Sequence, residues 1–370
     1  MTGIPFTDMK ARVAAVRAEI DEAIARVLGS GWFILGPEGE AFERELAQAL
    51  QAKDAVAVGN GTEAIQLALE ALGVGPGDEV VTSPLTAAFT ALAVQRTGAR
   101  PVFADLDPAT LNVAPDAVER AITPRTKALL PVHLYGHPAD LDPLLALSRA
   151  RGIPLVEDAC QAHGARYKGR TVGAISGIGA LSFYPTKNLG ALGDGGAILV
   201  DDPERAAYLR RLRNGGQSDR YRHEIPGVNS RLDEMQAAVL RVGLRHLEEW
   251  TRKRRALAAV YFEELKSTGV CLPHEQPYAE ANYHLFVVRH PRRDALMAAL
   301  KERGVGTLIH YPIPLHLQPV YAGLGGRAGD FPEAERAASS ILSLPLYPEM
   351  TDGQARRVAA AVRESVAAIA

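Results

Sequence analysis

Cysteine is almost missing from this chain: Cys160 and Cys271 are the only two among 370 residues. They lie far apart and in no metal-ligand spacing, which argues against a disulfide framework and against a structural metal site. An excess of charge of either sign is also missing. Forty-one basic and 43 acidic side chains leave a net charge of −2, so the chain lacks the electrostatic footprint of a nucleic-acid-binding protein. No stretch approaches the ~20 apolar residues that span a bilayer. Lys10, Arg12, Arg17, Glu19, Asp21 and Glu22 interrupt any signal-peptide-like run near the start. The expected setting is the cytoplasm, with no metal and neither membrane nor nucleic acid as partner.

What is present is an ordinary globular balance, 47% hydrophobic and 23% charged, in a chain long enough for about two domains. Helical periodicity over residues 9–28 ends at Gly29-Ser30-Gly31, and a second helix is predicted over 37–50. Short β-branched runs then alternate with helical stretches. Strands are predicted at 55–58, 79–82, 101–104, 128–132 and 154–157, with helices at 61–72, 86–97 and 141–151 between them. Crossover helices of this length imply an α/β fold with a mostly parallel sheet. Strands at 179–184 and 197–200 follow, then a long helical region over 232–265. A smaller C-terminal α+β domain is expected beyond it, dividing the chain into 1–245 and 246–370. The basic run Arg252-Lys253-Arg254-Arg255, beside Glu248 and Glu249, reads as a solvated helix face.

Two segments carry chemistry. Pro154-Leu155-Val156-Glu157-Asp158-Ala159-Cys160-Gln161-Ala162-His163-Gly164 takes an apolar strand straight into an acid, a carboxamide and an imidazole. Ligands of open α/β sheets bind beyond the carboxyl ends of the strands. Asp158 is therefore placed to meet one, with a helix cap as the plainer alternative. Lys187 follows another apolar strand in Ser182-Phe183-Tyr184-Pro185-Thr186-Lys187-Asn188-Leu189-Gly190. Alone it reads as a surface lysine. Together, a lysine able to form a Schiff base and a carboxylate able to face a pyridinium nitrogen are the protein's usual contribution to pyridoxal 5'-phosphate (PLP) chemistry.

With these motifs in order, the chain resembles the DegT/DnrJ/StrS sugar aminotransferases, which have the aspartate aminotransferase (type I) fold. The resemblance runs over nearly the whole chain, from Gly29–Pro37 through Gly59-Asn60-Gly61-Thr62-Glu63-Ala64, Asn229-Ser230-Arg231-Leu232 and His310-Tyr311-Pro312. It implies that Lys187 is the Schiff-base lysine and Asp158 the partner of the ring nitrogen. By the same likeness Gln161 contacts the phenolic oxygen, while Gly61, Thr62 and Ser182 hold the phosphate. Asn229 is similar to a residue that reaches the phosphate from a neighbouring subunit, which implies a homodimer with shared sites. Ala87 departs from the family, many of whose members carry an aromatic ring there to cover the cofactor. Phe89 is the nearest aromatic and the candidate for that role, with plain helix packing as the alternative. His163, Arg213, Tyr221, His310, Tyr311 and His316 are candidates for substrate contact.

The implied function is transfer of an amino group, from an amino-acid donor such as glutamate, to a ketone on a nucleotide-linked deoxysugar. Trp32-Phe33 and Thr86-Ala87 are similar to enzymes that aminate a 3-keto dTDP-hexose. A 4-keto sugar, a PLP-dependent dehydration and a non-catalytic regulatory role are the alternatives. Dehydratases of this fold carry histidine in place of the lysine, and no basic helix-turn-helix segment is present for DNA binding.

Overall fold

The alternation of apolar runs and amphipathic stretches is realised as a sheet covered by helices on both faces. The structure is a computed structural model and describes residues 3–369. It opens with α1 (Met9–Ala15), α2 (Arg17–Ser30) and α3 (Pro37–Ala49). Then β1 (Asp54–Val58), α4 (Gly61–Glu70), β2 (Glu79–Thr82), α5 (Ala88–Arg96), β3 (Arg100–Phe103), α6 (Pro115–Ala121), β4 (Thr126–Leu130), α7 (Leu141–Arg151) and β5 (Glu157–Asp158) alternate. The hairpin β6 (Arg166–Tyr167) and β7 (Arg170–Thr171) precedes β8 (Ile178–Ser182), β9 (Gly196–Val200) and α8 (Pro203–Leu212). A second hairpin, β10 (Gln217–Asp219) and β11 (Arg222–His223), leads into α9 (Glu234–Leu265). The remainder holds β12 (Ala279–Glu280), β13 (Phe286–Arg289), α10 (Arg293–Glu302), α11 (Pro332–Ser340), β14 (Ile341–Leu344) and α12 (Asp352–Ile369).

Two ladders, β3-β2-β4 and β5-β8-β9-β1, are joined by the parallel bridges Leu129↔Leu155 and Val132↔Asp158. The result is one sheet ordered β3-β2-β4-β5-β8-β9-β1. Strand β9 runs antiparallel to both β8 and β1, whereas the β2–β3, β2–β4 and β5–β8 pairs are parallel. This is the expected mostly parallel, mixed sheet. Its strands alternate between two cores. Ala55, Ala57, Leu129, Leu181 and Leu199 pack with Phe42, Leu46, Leu144 and Leu240. Val56, Val58, Leu130, Ala180 and Ile198 pack with Ile65, Leu69, Val94 and Leu209 on the other face. Burial on both faces explains why these strands read as apolar runs rather than as strict alternation.

Two local readings are corrected. The N-terminal helix breaks at Val16, whose φ and ψ are −128° and 21°; no proline or glycine marks the break. The basic run is only in part the expected solvated face: Arg252 and Lys253 are exposed, but the next two residues turn inward. Arg254 is buried and donates to the carbonyls of Tyr283 (3.1 Å), His284 (3.3 Å) and Leu346 (2.8 Å), and Arg255 donates to Ala281 O at 2.8 Å. The segment after His310 contains two 3₁₀ turns, Leu315–Leu317 and Pro319–Leu324. Helix α9 is continuous through residues 245 and 246. Its N-terminal half packs on Val16, Ile20 and Val27 through Trp250, and its C-terminal half enters the core of β13, β14, α10 and α12 from Leu257 onward. Ile4, from the other end of the chain, belongs to that same core.

Candidate active site

Strand β1 delivers the chain to a sharp turn at Gly59-Asn60, where α4 begins. The Asn60 side chain accepts from Glu63 N at 2.9 Å and caps the helix. Among the described residues the amides of Gly61 and Thr62 meet no acceptor, as the first N–H groups of a helix do unless something outside supplies one. The ends of β8 and β9 press against this turn. A Cβ added to Gly61 would stand 2.5 Å from Ser182 Cβ and 3.2 Å from Cys160 Sγ; one on Gly196 would stand 2.4 Å from Asn60 O. Two free amides, the positive end of a helix and the Ser182 hydroxyl thus surround one small space, a ready anion cradle. Ser230, which the sequence did not single out, accepts from Gly59 N at 3.0 Å and donates to Glu63, bracing the turn.

Asp158 ends β5 in the middle of the sheet and is 2% exposed. No helix follows it, so it is not a helix cap. One carboxylate oxygen accepts from Cys160 N at 3.2 Å and the other from the Thr90 hydroxyl at 2.8 Å. Thr90 is in turn 3.3 Å from the Thr86 hydroxyl, one turn earlier along the chain. Sequence reasoning missed Thr90. Gln161 accepts from Tyr135 N at 2.7 Å and donates to the Tyr311 hydroxyl at 3.1 Å. Burial, with the Asp158 charge nearby, pushes the Tyr311 phenol well above its ordinary value.

Lys187 lies in the irregular turn after β8. Burial lowers the pKa of its amine below that of an ordinary lysine, against the opposing influence of Cys160 and Asp158. His163 is buried beside it and rests on Phe183, with ring centroids 5.8 Å apart. Neither ring nitrogen of His163 has a hydrogen-bond partner among the described residues. Burial and the Lys187 charge hold its pKa at about 3. The same two influences hold His310 at about 4; its Nδ1 lies 2.9 Å from Ser343 Oγ, and its carbonyl accepts from the Tyr135 hydroxyl. The structure therefore gathers Gly61, Thr62, Asp158, Gln161, Ser182, Lys187, His163, His310 and Tyr311.

Of the other candidates, three are exposed and two are buried with partners of their own. Phe89 is 63% exposed on α5, so plain helix packing does not account for it. Tyr221 tops the β10–β11 hairpin and is 79% exposed, with the Arg220 guanidinium over its ring. Asn229 is exposed, its backbone bridged to Asn214. Two expected substrate contacts turn inward instead. The Arg213 guanidinium is buried and pairs with Glu43 and with Ala57 O, the latter at 2.6 Å. His316 is buried on Phe331, and its Nε2 lies 3.0 Å from Glu335.

A family model for the DegT/DnrJ/EryC1/StrS aminotransferase family matches residues 14–363. The chain is 53% identical to a dTDP-3-amino-3,4,6-trideoxy-alpha-D-glucose transaminase of Streptomyces venezuelae, covering 98% of this chain and 96% of that one. Among solved structures, S. venezuelae DesV in complex with a ketimine intermediate superposes with a TM-score of 0.98, at 52% identity and 99% coverage of both chains. NtdA from Bacillus subtilis, with bound cofactor PMP, superposes with a TM-score of 0.92 at 32% identity, covering 99% of this chain and 86% of that one. The residues here suit that kind of cofactor. The cradle at α4 offers unsatisfied donors to a phosphate, Asp158 offers a carboxylate to a ring nitrogen, and Lys187 offers an amine that burial inclines toward its neutral, nucleophilic form. The chain belongs to the DegT/DnrJ/EryC1/StrS aminotransferase family and is a PLP-dependent sugar aminotransferase.

Proposed function

We propose that the chain moves an amino group from glutamate to the 3-keto group of a dTDP-linked deoxyhexose. We propose further that it works as a cytoplasmic homodimer whose subunits complete each other's sites. The observation that carries the reading is the convergence of Lys187, Asp158 and the open N-terminus of α4 at one end of the sheet. The substrate follows the S. venezuelae transaminase, whose product carries its amine at carbon 3.

When bound, PLP supplies an electron sink for the substrate carbanion. Every other contribution comes from the chain. Asp158 would face the ring nitrogen and hold its proton, Gln161 would donate to the phenolic oxygen, and Gly61, Thr62 and Ser182 would hold the phosphate. The buried amine of Lys187 would anchor the cofactor and serve as the base and acid that moves the substrate's proton. The exposed Phe89 would cover the ring in place of an aromatic at Ala87. The neutral His163, His310 and Tyr311 border the space a sugar would enter, and Tyr221 reaches the nucleotide from its hairpin. Arg213 and His316 are committed inside the chain and we assign them no substrate contact.

The dimer is supported by exposed apolar side chains grouped at the start of α9. Phe33 O accepts from Glu234 N at 2.9 Å, Ile34 bridges Asp233, and Leu192 N donates to Gln236 at 2.8 Å. Trp32 (58%), Phe33 (48%), Ile34 (38%) and Leu192 (44%) all face outward there, an apolar patch of the kind that marks an interface. No helix among the described residues is long and apolar enough to cross a membrane, and both cysteines are unpaired, which suits a reducing compartment.

The test is a panel of 3-keto and 4-keto nucleotide sugars with glutamate as donor. The reading expects turnover of a 3-keto dTDP-hexose; exclusive turnover of 4-keto sugars overturns the regiochemistry. Lys187→Ala and Asp158→Ala should each lower turnover by about 10³-fold or more. Mixing equal amounts of Lys187→Ala and Asn229→Ala subunits should recover about a quarter of wild-type activity, because about half of the dimers are then mixed and each of those has one of its two sites intact. No recovery refutes the shared site.

A further inference from the structure

The turn that carries Lys187 does not satisfy its own backbone. Lys187 N bonds back to Tyr184 O at 2.8 Å and Ala191 N to Phe183 O at 2.8 Å, but the carbonyls of Lys187 and Asn188 point away from the turn. Both are met by one side chain from a distant part of the chain. Arg12, on α1, donates from Nη1 to Lys187 O at 3.0 Å and from Nη2 to Asn188 O at 3.4 Å. The guanidinium carbon lies 4.4 Å from the centre of the Trp250 ring on α9, and Nε is 3.6 Å from Glu349. Arg12 is 8% exposed, and burial lowers its pKa, with Glu349 opposing. A cation is held at this depth only when it is paired and hydrogen-bonded.

The same cluster reaches the other side of the turn. Asn188 donates to Asn282 O at 3.2 Å, and its side-chain oxygen lies 3.3 Å from His284 Nδ1. The next carbonyls, of Tyr283 and His284, are held by Arg254, whose charge Arg12 opposes and Glu349 offsets. Two buried arginines around one carboxylate therefore fix both the Lys187 turn and the segment against which Asn188 packs.

The geometry points to Arg12 as a positioning residue for Lys187. By gripping the lysine's own peptide carbonyl, it fixes where the side chain starts and so where the amine can reach. Docking of α1 thereby becomes a condition for a competent site. This rests on Lys187 being the cofactor's covalent anchor, and the tests separate the two ideas. Displacing a reacting group by about 1 Å costs on the order of 10²-fold in rate.

The variants are Arg12→Ala, Arg12→Lys, Val27→Ala and Lys187→Ala. Val27→Ala weakens the packing of the N-terminal helices on α9 without touching the guanidinium. In the apo chain, amide exchange at residues 187–189 should accelerate in Arg12→Ala and stay unchanged in Val27→Ala. On adding pyridoxal phosphate to apoenzyme, the visible band should form about 10- to 100-fold more slowly in Arg12→Ala. Arg12→Lys keeps the charge but replaces the two-nitrogen fork by a single ammonium and should fall between, which keeps the test decisive if Arg12→Ala does not fold. If the arginine variants lower Tm but leave exchange and band formation as in Val27→Ala, the inference is overturned and Arg12 only stabilises the fold. If Lys187→Ala still forms the band, the reading of Lys187 fails instead.

Discussion

The Thr90 hydroxyl donates to Asp158 Oδ2 at 2.8 Å, so a residue on α5 fixes the rotation of a carboxylate on β5. The other oxygen is held by the Cys160 amide at 3.2 Å. Thr90→Val keeps the volume and removes the donor. A hydrogen bond to a charged group contributes about 1.5–3 kcal/mol, so kcat/KM should fall about 10-fold or more, while Thr90→Ser should remain near wild type. Equal kinetics in both variants would show that the cysteine amide alone holds Asp158.

Gly61 has no room for a side chain, because an added Cβ would stand 2.5 Å from Ser182 Cβ. Gly61→Ala should force α4 away from β8 and spoil the phosphate cradle. Overpacking of this kind costs about 1–3 kcal/mol, so affinity for pyridoxal phosphate should weaken about 10-fold or more in a fluorescence titration. Unchanged affinity would move the phosphate elsewhere.

His163 gives a pH dependence whose sign is fixed. Its pKa is lowered from 6.5 to about 3 in the folded chain, chiefly by burial, with Lys187 adding to the effect. His284, equally buried nearby, is depressed well below its ordinary value. Between those limits the unfolded chain binds the proton that the folded chain refuses, so stability is lost as pH falls below about 6.5. By pH 5 each such histidine should cost about 2 kcal/mol. In urea denaturation of the apo chain, His163→Asn should flatten the decline between pH 7 and pH 5. An unchanged slope would mean that His163 is not held neutral.

Arg213 separates a structural role from a ligand-binding one. Its side chain is 10% exposed and pairs with Glu43, which is 9% exposed. Removing one partner of a buried pair costs about 3–5 kcal/mol, because the other charge is left behind. Arg210 also reaches Glu43, at 3.3 Å, so Arg213→Met should sit near the lower end of that range. KM for the sugar nucleotide should not change per folded molecule; a selective rise in KM would restore Arg213 as a substrate contact.

What the sequence revealed and what it hid divide along one physical line. Asp158 and Lys187 sit where apolar strands stop, and a strand end is visible in a hydrophobic pattern, whereas Gly61, Thr62 and Ser182 stood out only through the family resemblance. The alternation that gave β2 and α7 their observed bounds is equally local. Thr90, Arg12 and Arg254 act through contacts between distant parts of the chain, 175 residues apart for Arg12 and Lys187. Arg254 looked like one more surface cation because a run of like charges carries no mark of which member turns inward. Glu234 was silent for the same reason, although it accepts from the amides of Gly36, Glu38 and Gly39 at 2.8–2.9 Å and so caps α3 from α9.

The unbroken course of α9 also constrains how this chain can change length. The helix leaves one core at Trp250 and enters another at Leu257. Each residue added or removed between them would turn everything beyond by about 100° and shift it by about 1.5 Å. Arg254 would lose its three carbonyls, and the C-terminal core would face solvent. Insertions and deletions are therefore barred from that stretch, while the exposed tip of the β10–β11 hairpin, around Arg220 and Tyr221, can absorb them without disturbing either core.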